Sequence, residues 1–86
     1  MILLPVQSRM ARAALGWGVR ELAAAAKVSI DTVARFERGD ELKERTIEAL
    51  RRTLEAAGVK FIDENGGGAG VRLRKPGKEK SRKSKD

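Results

Sequence analysis

Val19-Arg20-Glu21-Leu22-Ala23-Ala24-Ala25-Ala26-Lys27-Val28-Ser29-Ile30-Asp31-Thr32-Val33-Ala34-Arg35-Phe36-Glu37-Arg38-Gly39 is the stretch that decides how this chain folds. It holds two short helical patterns on either side of a tight turn at Lys27-Val28. Ser29 is a strong N-cap for the second helix, Val28 and Val33 form a hydrophobic staple across it, and Asp31 lies where the helix dipole favours a carboxylate. Val33 and Phe36 point inward and Gly39 ends the helix, while polar side chains gather on the outer face. In the preceding helix Gly18 serves as N-cap, Glu21 sits at the third helical position, and Trp17 packs over Leu22. Leu22, Ala23 and Ala26 supply its inner face, the alanines allowing a crossing helix to approach closely. Two such helices make a helix-turn-helix, whose second helix is shaped to enter the DNA major groove.

Working outward, Gln7 to Leu15 reads as an earlier helix, with Met10, Ala11, Ala14 and Leu15 at helical spacing and Gly16 as its stop. Trp17, the one tryptophan, is assigned to the core. Asp40 to Arg45 is a charged connection with Leu42 tucked against the core. Thr46 caps a further helix through Ala57, in which Ile47, Leu50 and Leu54 form a buried stripe, Arg51 and Arg52 face solvent, and Gly58 is the stop. Val59-Lys60-Phe61-Ile62 and Val71-Arg72-Leu73-Arg74 then read as two short strands, with an apolar and a basic face. A lone hairpin is marginal in water, so it needs a partner: the helical bundle, or the same hairpin from a second subunit. The fold class expected is mainly α, a four-to-five-helix bundle with a C-terminal β-hairpin. Residues 1–58 form the helix-turn-helix domain and 59–74 the hairpin. Val59, Phe61, Ile62, Val71 and Leu73 are its candidate dimerisation residues.

The 86 residues amount to one small domain, without room for a cleft between two lobes. No apolar run approaches a membrane span, and Met1 to Val6 is too short for a signal-peptide core. The chain has no cysteine, histidine or tyrosine. What remains for catalysis is carboxylates, lysines and hydroxyls without a clustered motif, so neither an enzyme, a metal site nor a cofactor is expected. No small-molecule ligand is evident. The net charge of +7 is unevenly placed, because residues 75–86 hold six Lys or Arg against two Asp or Glu. That tail is expected to be disordered, and either adds sequence-independent attraction to phosphates or serves only to keep the chain in solution.

Leu15-Gly16-Trp17, Glu21-Leu22-Ala23, Val28-Ser29, Thr32 to Gly39 and Ala56 to Ile62 together resemble the Cro/C1-type (XRE-family) helix-turn-helix regulators of bacteria and phages. The likeness covers roughly residues 7–62, and its most specific part is the spacing from Leu22 to Gly39. Glu64-Asn65-Gly66-Gly67-Gly68 with Val71 to Arg74 is similar to a subgroup of very small members with a strand-forming C-terminus. The resemblance implies a lambda-repressor-like bundle, duplex DNA as partner, a homodimer, and a bacterial cytoplasmic, nucleoid-associated location. It places Ile30, Asp31 and Arg35 toward the groove, with Ser29, Thr32 and Arg38 next to the backbone, and implies a structural salt bridge between Arg12 and Glu37. Two positions depart from the family pattern. Val19 stands where a phosphate-binding Gln is usual, and Lys27 where Gly is usual, a positive-φ site at which Lys costs on the order of 1 kcal/mol.

Chemistry separates the candidates on the DNA face. Arg35 has a planar fork that can donate to O6 and N7 of guanine, Ile30 suits a thymine methyl, and Thr32 reaches a phosphate or a base edge or bonds its own backbone. Asp31 either accepts from cytosine N4 or serves the helix start alone. Lys27, Ser29, Arg38, Lys43 and Arg45 are the candidate phosphate contacts. The expected function is a sequence-specific DNA-binding repressor acting as a homodimer on an inverted repeat. The alternatives are a protein-binding module, antitoxin-like or anti-activator, on a helix-turn-helix scaffold, and non-specific nucleic-acid packaging driven by the tail.

Overall fold

A computed structural model describes residues 2–74, and the expected basic tail at 75–86 lies outside them. Four helices come first: α1 (Pro5–Leu15), α2 (Val19–Ala26), α3 (Ile30–Glu37) and α4 (Glu44–Ala56). Two strands, β1 (Val59–Ile62) and β2 (Gly70–Leu73), follow as an antiparallel hairpin. Its register pairs Val59 with Leu73, Lys60 with Arg72, Phe61 with Val71 and Ile62 with Gly70. The chain is therefore mainly helical with a small hairpin.

Local chemistry sets the boundaries. Pro5 opens α1 at its first helical position, two residues earlier than the expected start, because its missing N–H is one that a helix start leaves unbonded anyway. Gly16 closes it in the left-handed region at φ 71°. The Glu21 carboxylate accepts from the Gly18 N–H at 2.8 Å, fixing the start of α2. Helix α4 begins at Glu44 with Lys43 as its cap, so Thr46 lies inside the first turn instead of capping it, and Ala57 follows the last helical residue. The acidic Glu44 suits the positive end of the dipole, which a hydroxyl-centred reading of the start overlooked.

The core is built from Leu22, Ala23, Val33, Phe36, Leu50 and Leu54, joined by Leu3, Ala11, Val59 and Phe61. Full burial of one such leucine contributes about 1.5–3 kcal/mol. The inner face of α1 differs from expectation: Gln7, Ser8 and Ala11 are buried, Met10 is half-buried and Ala14 is exposed. Trp17 is also only half-buried, packed against the core rather than within it. Arg51 is half-buried. It is bonded to Glu48 and Glu55 along α4, while Arg52 bonds Glu48 from a more exposed position. Hydrogen bonds from Arg51 and Arg52 push the Glu48 carboxyl down to about 2.

The hairpin takes the helical bundle as its partner. Val59 and Phe61 are buried in the core of their own chain, so Val59, a candidate dimerisation residue, is corrected to a core residue, and Phe61 takes the core role of its two readings, core or dimer contact. Gln7 fastens the loop end of the hairpin, its Nε2 donating to the carbonyls of Ile62 at 3.0 Å and Gly70 at 3.1 Å. At the other end Arg74 donates from its backbone N–H to Gly58 and from its guanidinium to the Glu55 carbonyl. Ile62 and Val71 are half-buried, and Leu73 is 52% exposed.

Candidate nucleic-acid interface

Helix α3 owes its pose to contacts on both sides. Its inward face, Val33 and Phe36, is buried in the core. Its last residue, Glu37, is held by three side chains of α1. Ser8 Oγ donates to Glu37 Oε2 at 2.6 Å, Arg12 binds both carboxylate oxygens at 2.9 and 2.6 Å, and Arg9 donates to the Glu37 backbone carbonyl. Burial opposes ionisation of Glu37, but the hydrogen bonds from Arg12 and Ser8, with the charges of Arg12 and Arg9, outweigh it and hold the carboxyl below its ordinary value. Arg12 is correspondingly raised by its hydrogen bond to Glu37. The implied Arg12–Glu37 pair is thus present, at 2.6 Å. Ser8 and Arg9 extend it into a network that the spacing of apolar residues gave no reason to expect.

The start of α3 is organised by Ser29, whose Oγ accepts from the Thr32 N–H at 3.0 Å and lies 2.8 Å from the Thr32 hydroxyl. Thr32 is therefore engaged in the helix start, and its half-buried side chain shares that hydroxyl with any further partner. Lys27 adopts φ 61°, the only positive-φ non-glycine position among the described residues, as the turn between α2 and α3 requires. Ile30 is exposed at 46%, an uncommon setting for a large apolar side chain at the tip of a helix. Asp31 and Arg35 are exposed one turn apart on the same outer face, and Arg38 continues it.

The far end of α3 closes with a Schellman turn. Gly39, at φ 98°, donates to the Phe36 carbonyl, and the Asp40 N–H reaches back to the Arg35 carbonyl at 3.0 Å. This brings the Asp40 carboxylate within 3.6 Å of Arg35 Nε and 3.1 Å of Arg38 Nη2. The sequence reading named both arginines and missed the carboxylate between them. The signal was there in Gly39-Asp40, since a left-handed glycine returns the following residue to the last turn. Among the described residues Lys27, Lys43 and Arg45 are exposed and make no ion pair.

What this surface offers is a short rigid helix with an exposed face of Ile30, Asp31, Arg35 and Arg38, the half-buried Thr32 beside them, preceded by Lys27 and Ser29. Donors, acceptors and an apolar tip lie on a rod about 12 Å long for its eight residues. No helix among the described residues is long and apolar enough to cross a membrane. No protein-family model matches the chain, and no curated protein matches it.

Proposed function

We propose that the chain is a sequence-specific DNA-binding regulator, a repressor that occupies its operator by laying α3 in the major groove. The observation that carries this reading is the division of α3 into two faces. One is locked into the core and into the Glu37 network, and the other leaves Arg35 and Ile30 exposed, residue types that can read base edges. Lys27, Ser29, Arg38, Lys43 and Arg45 supply phosphate contacts around it. The likeness to the Cro/C1-type regulators supports the same reading, and the Arg12–Glu37 pair it implies is present.

The test is selection of a preferred duplex from a randomised pool, followed by binding at physiological salt. Replacing Thr32 and Arg35 together by alanine is expected to remove about 1–3 kcal/mol of discrimination between that duplex and its single-base variants. Thermal melting should fall only modestly, because Arg35 is exposed and the Ser29 cap on the Thr32 N–H survives while only the Thr32 hydroxyl contact is lost. Unaltered preference in a folded double variant sinks the reading.

One such module reads a short site, so a homodimer on an inverted repeat is proposed, its half-sites about 34 Å apart. With Val59 and Phe61 buried, the surface offered to a second copy is the exposed Leu73, on the same face as the half-buried Val71, while Ile62 lies on the opposite face with Lys60 and Arg72. Leu73→Asp is expected to leave the fold intact and shift a micromolar sample from dimer to monomer in sedimentation. A dimer that survives this change places the contact elsewhere.

A further inference from the structure

We infer that Asp40 is a positioning residue for base reading, holding Arg35 by its Nε edge so that the guanidinium fork is aimed at guanine before DNA arrives. The inference rests on the proposed DNA-binding reading. It starts from the Schellman turn, whose backbone bond from Asp40 N–H to the Arg35 carbonyl returns Asp40 to the last turn, where its carboxylate comes within reach of that side chain. The approach is through Nε at 3.6 Å, leaving the Nη pair, the part of the fork that reaches O6 and N7, for a base. Arg38 Nη2 binds the same Oδ2 at 3.1 Å, so one carboxylate lies between the two arginines.

Helix stability does not account for Asp40. An anion at the C-terminal end opposes the helix dipole, and ion pairs this exposed, with Arg35 at 44%, Arg38 at 60% and Asp40 at 41%, contribute little to folding. A carboxylate facing a phosphate backbone also works against affinity. What it supplies is restraint, because an arginine held in one rotamer loses less freedom on binding a base, and its charge is partly cancelled for any duplex lacking the right base.

Asp40→Asn keeps the size of the side chain and removes its charge. The full chain, Asp40→Asn and Arg35→Ala are measured against the preferred duplex, each single-base variant of it, and a random duplex, over a salt series. Preference at one guanine should fall about threefold or more in Asp40→Asn, at the same position that Arg35→Ala flattens. Affinity for random duplex should rise, with a salt slope steeper by about one unit. A merely structural role would lower binding to all duplexes alike and lower the melting temperature. If Arg35→Ala flattens the preference while Asp40→Asn keeps it, the positioning role fails and the DNA-binding reading stands. If Arg35→Ala leaves the preference unchanged, Arg35 reads no base and the positioning role fails; if the full chain shows no preference, both fall.

Discussion

Glu37→Ala is expected to cost the domain a large part of its folding free energy. Glu37 is 9% exposed and is the acceptor for Ser8 and for Nε and Nη2 of Arg12, so its removal leaves a buried hydroxyl and a half-buried guanidinium without their partner. Breaking a buried pair from one side costs about 3–5 kcal/mol. A domain of this size has a total stability of roughly 4–13 kcal/mol, so the loss is a large part of the whole. Each kcal/mol lowers the melting temperature by roughly 4–8 °C, which puts the expected drop on the order of 20 °C. The double variant Arg12→Met with Glu37→Leu, which removes both charges and keeps the volume, should recover most of it. A Glu37→Ala melting temperature within about 5 °C of the parent chain would show that the network is dispensable.

The same network sets the acid limb of stability. The Glu37 carboxyl is held below its unperturbed value of 4.5 by Arg12 and Ser8, against the opposing effect of burial. A lowered folded value means the unfolded chain takes up the proton first. The contribution of Glu37 is therefore complete above pH 4.5 and is lost as pH falls through the folded value. Urea midpoints should decline with acidification in the parent chain and decline less steeply in the charge-free double variant.

Local chemistry made most of the fold legible. Gly16, Ser29 and Gly39 mark boundaries because caps act within a few residues, and Val33 and Phe36 reveal the inner face of α3 because helical spacing is a local property. What stayed hidden depends on distance along the chain. Gln7 and Ser8 look like solvent-facing residues of an amphipathic helix, yet their partners lie 55 to 63 and 29 positions away. Alternation in β2 gave the hairpin an apolar face without saying whether the bundle or a second copy covers it, and the bundle covers Val59 and Phe61. The candidate DNA face was legible as residue types, Ile30, Asp31, Thr32 and Arg35. The arrangement of Arg35 and Arg38 around Asp40 required the geometry of the turn.

Gln7→Glu should be the most revealing single-atom change outside α3. Gln7 is 1% exposed and works in two directions: Oε1 accepts from the Leu4 N–H at 3.1 Å, and Nε2 donates to both carbonyls at the end of the hairpin. A carboxylate keeps the first bond and turns the other two into repulsive oxygen–oxygen contacts. Leaving buried polar groups unsatisfied costs about 1–3 kcal/mol each, so a loss of roughly 3 kcal/mol at pH 7 is expected. The pH dependence must run opposite to that of Glu37. Burial beside two carbonyls raises the folded value of the new carboxyl, so its penalty is full at neutral pH and relaxes as acid protonates it and restores one donor. Gln7→Leu, which keeps the volume without the hydrogen bonds, should be destabilised with no such recovery. Hydrogen exchange locates the damage: amides of Val59–Ile62 and Gly70–Leu73 should lose protection before those of Leu50 and Leu54, because Gln7 ties the hairpin to α1 and not α4 to the core. Uniform loss of protection across all of these amides would mean that the hairpin and the bundle unfold as one unit.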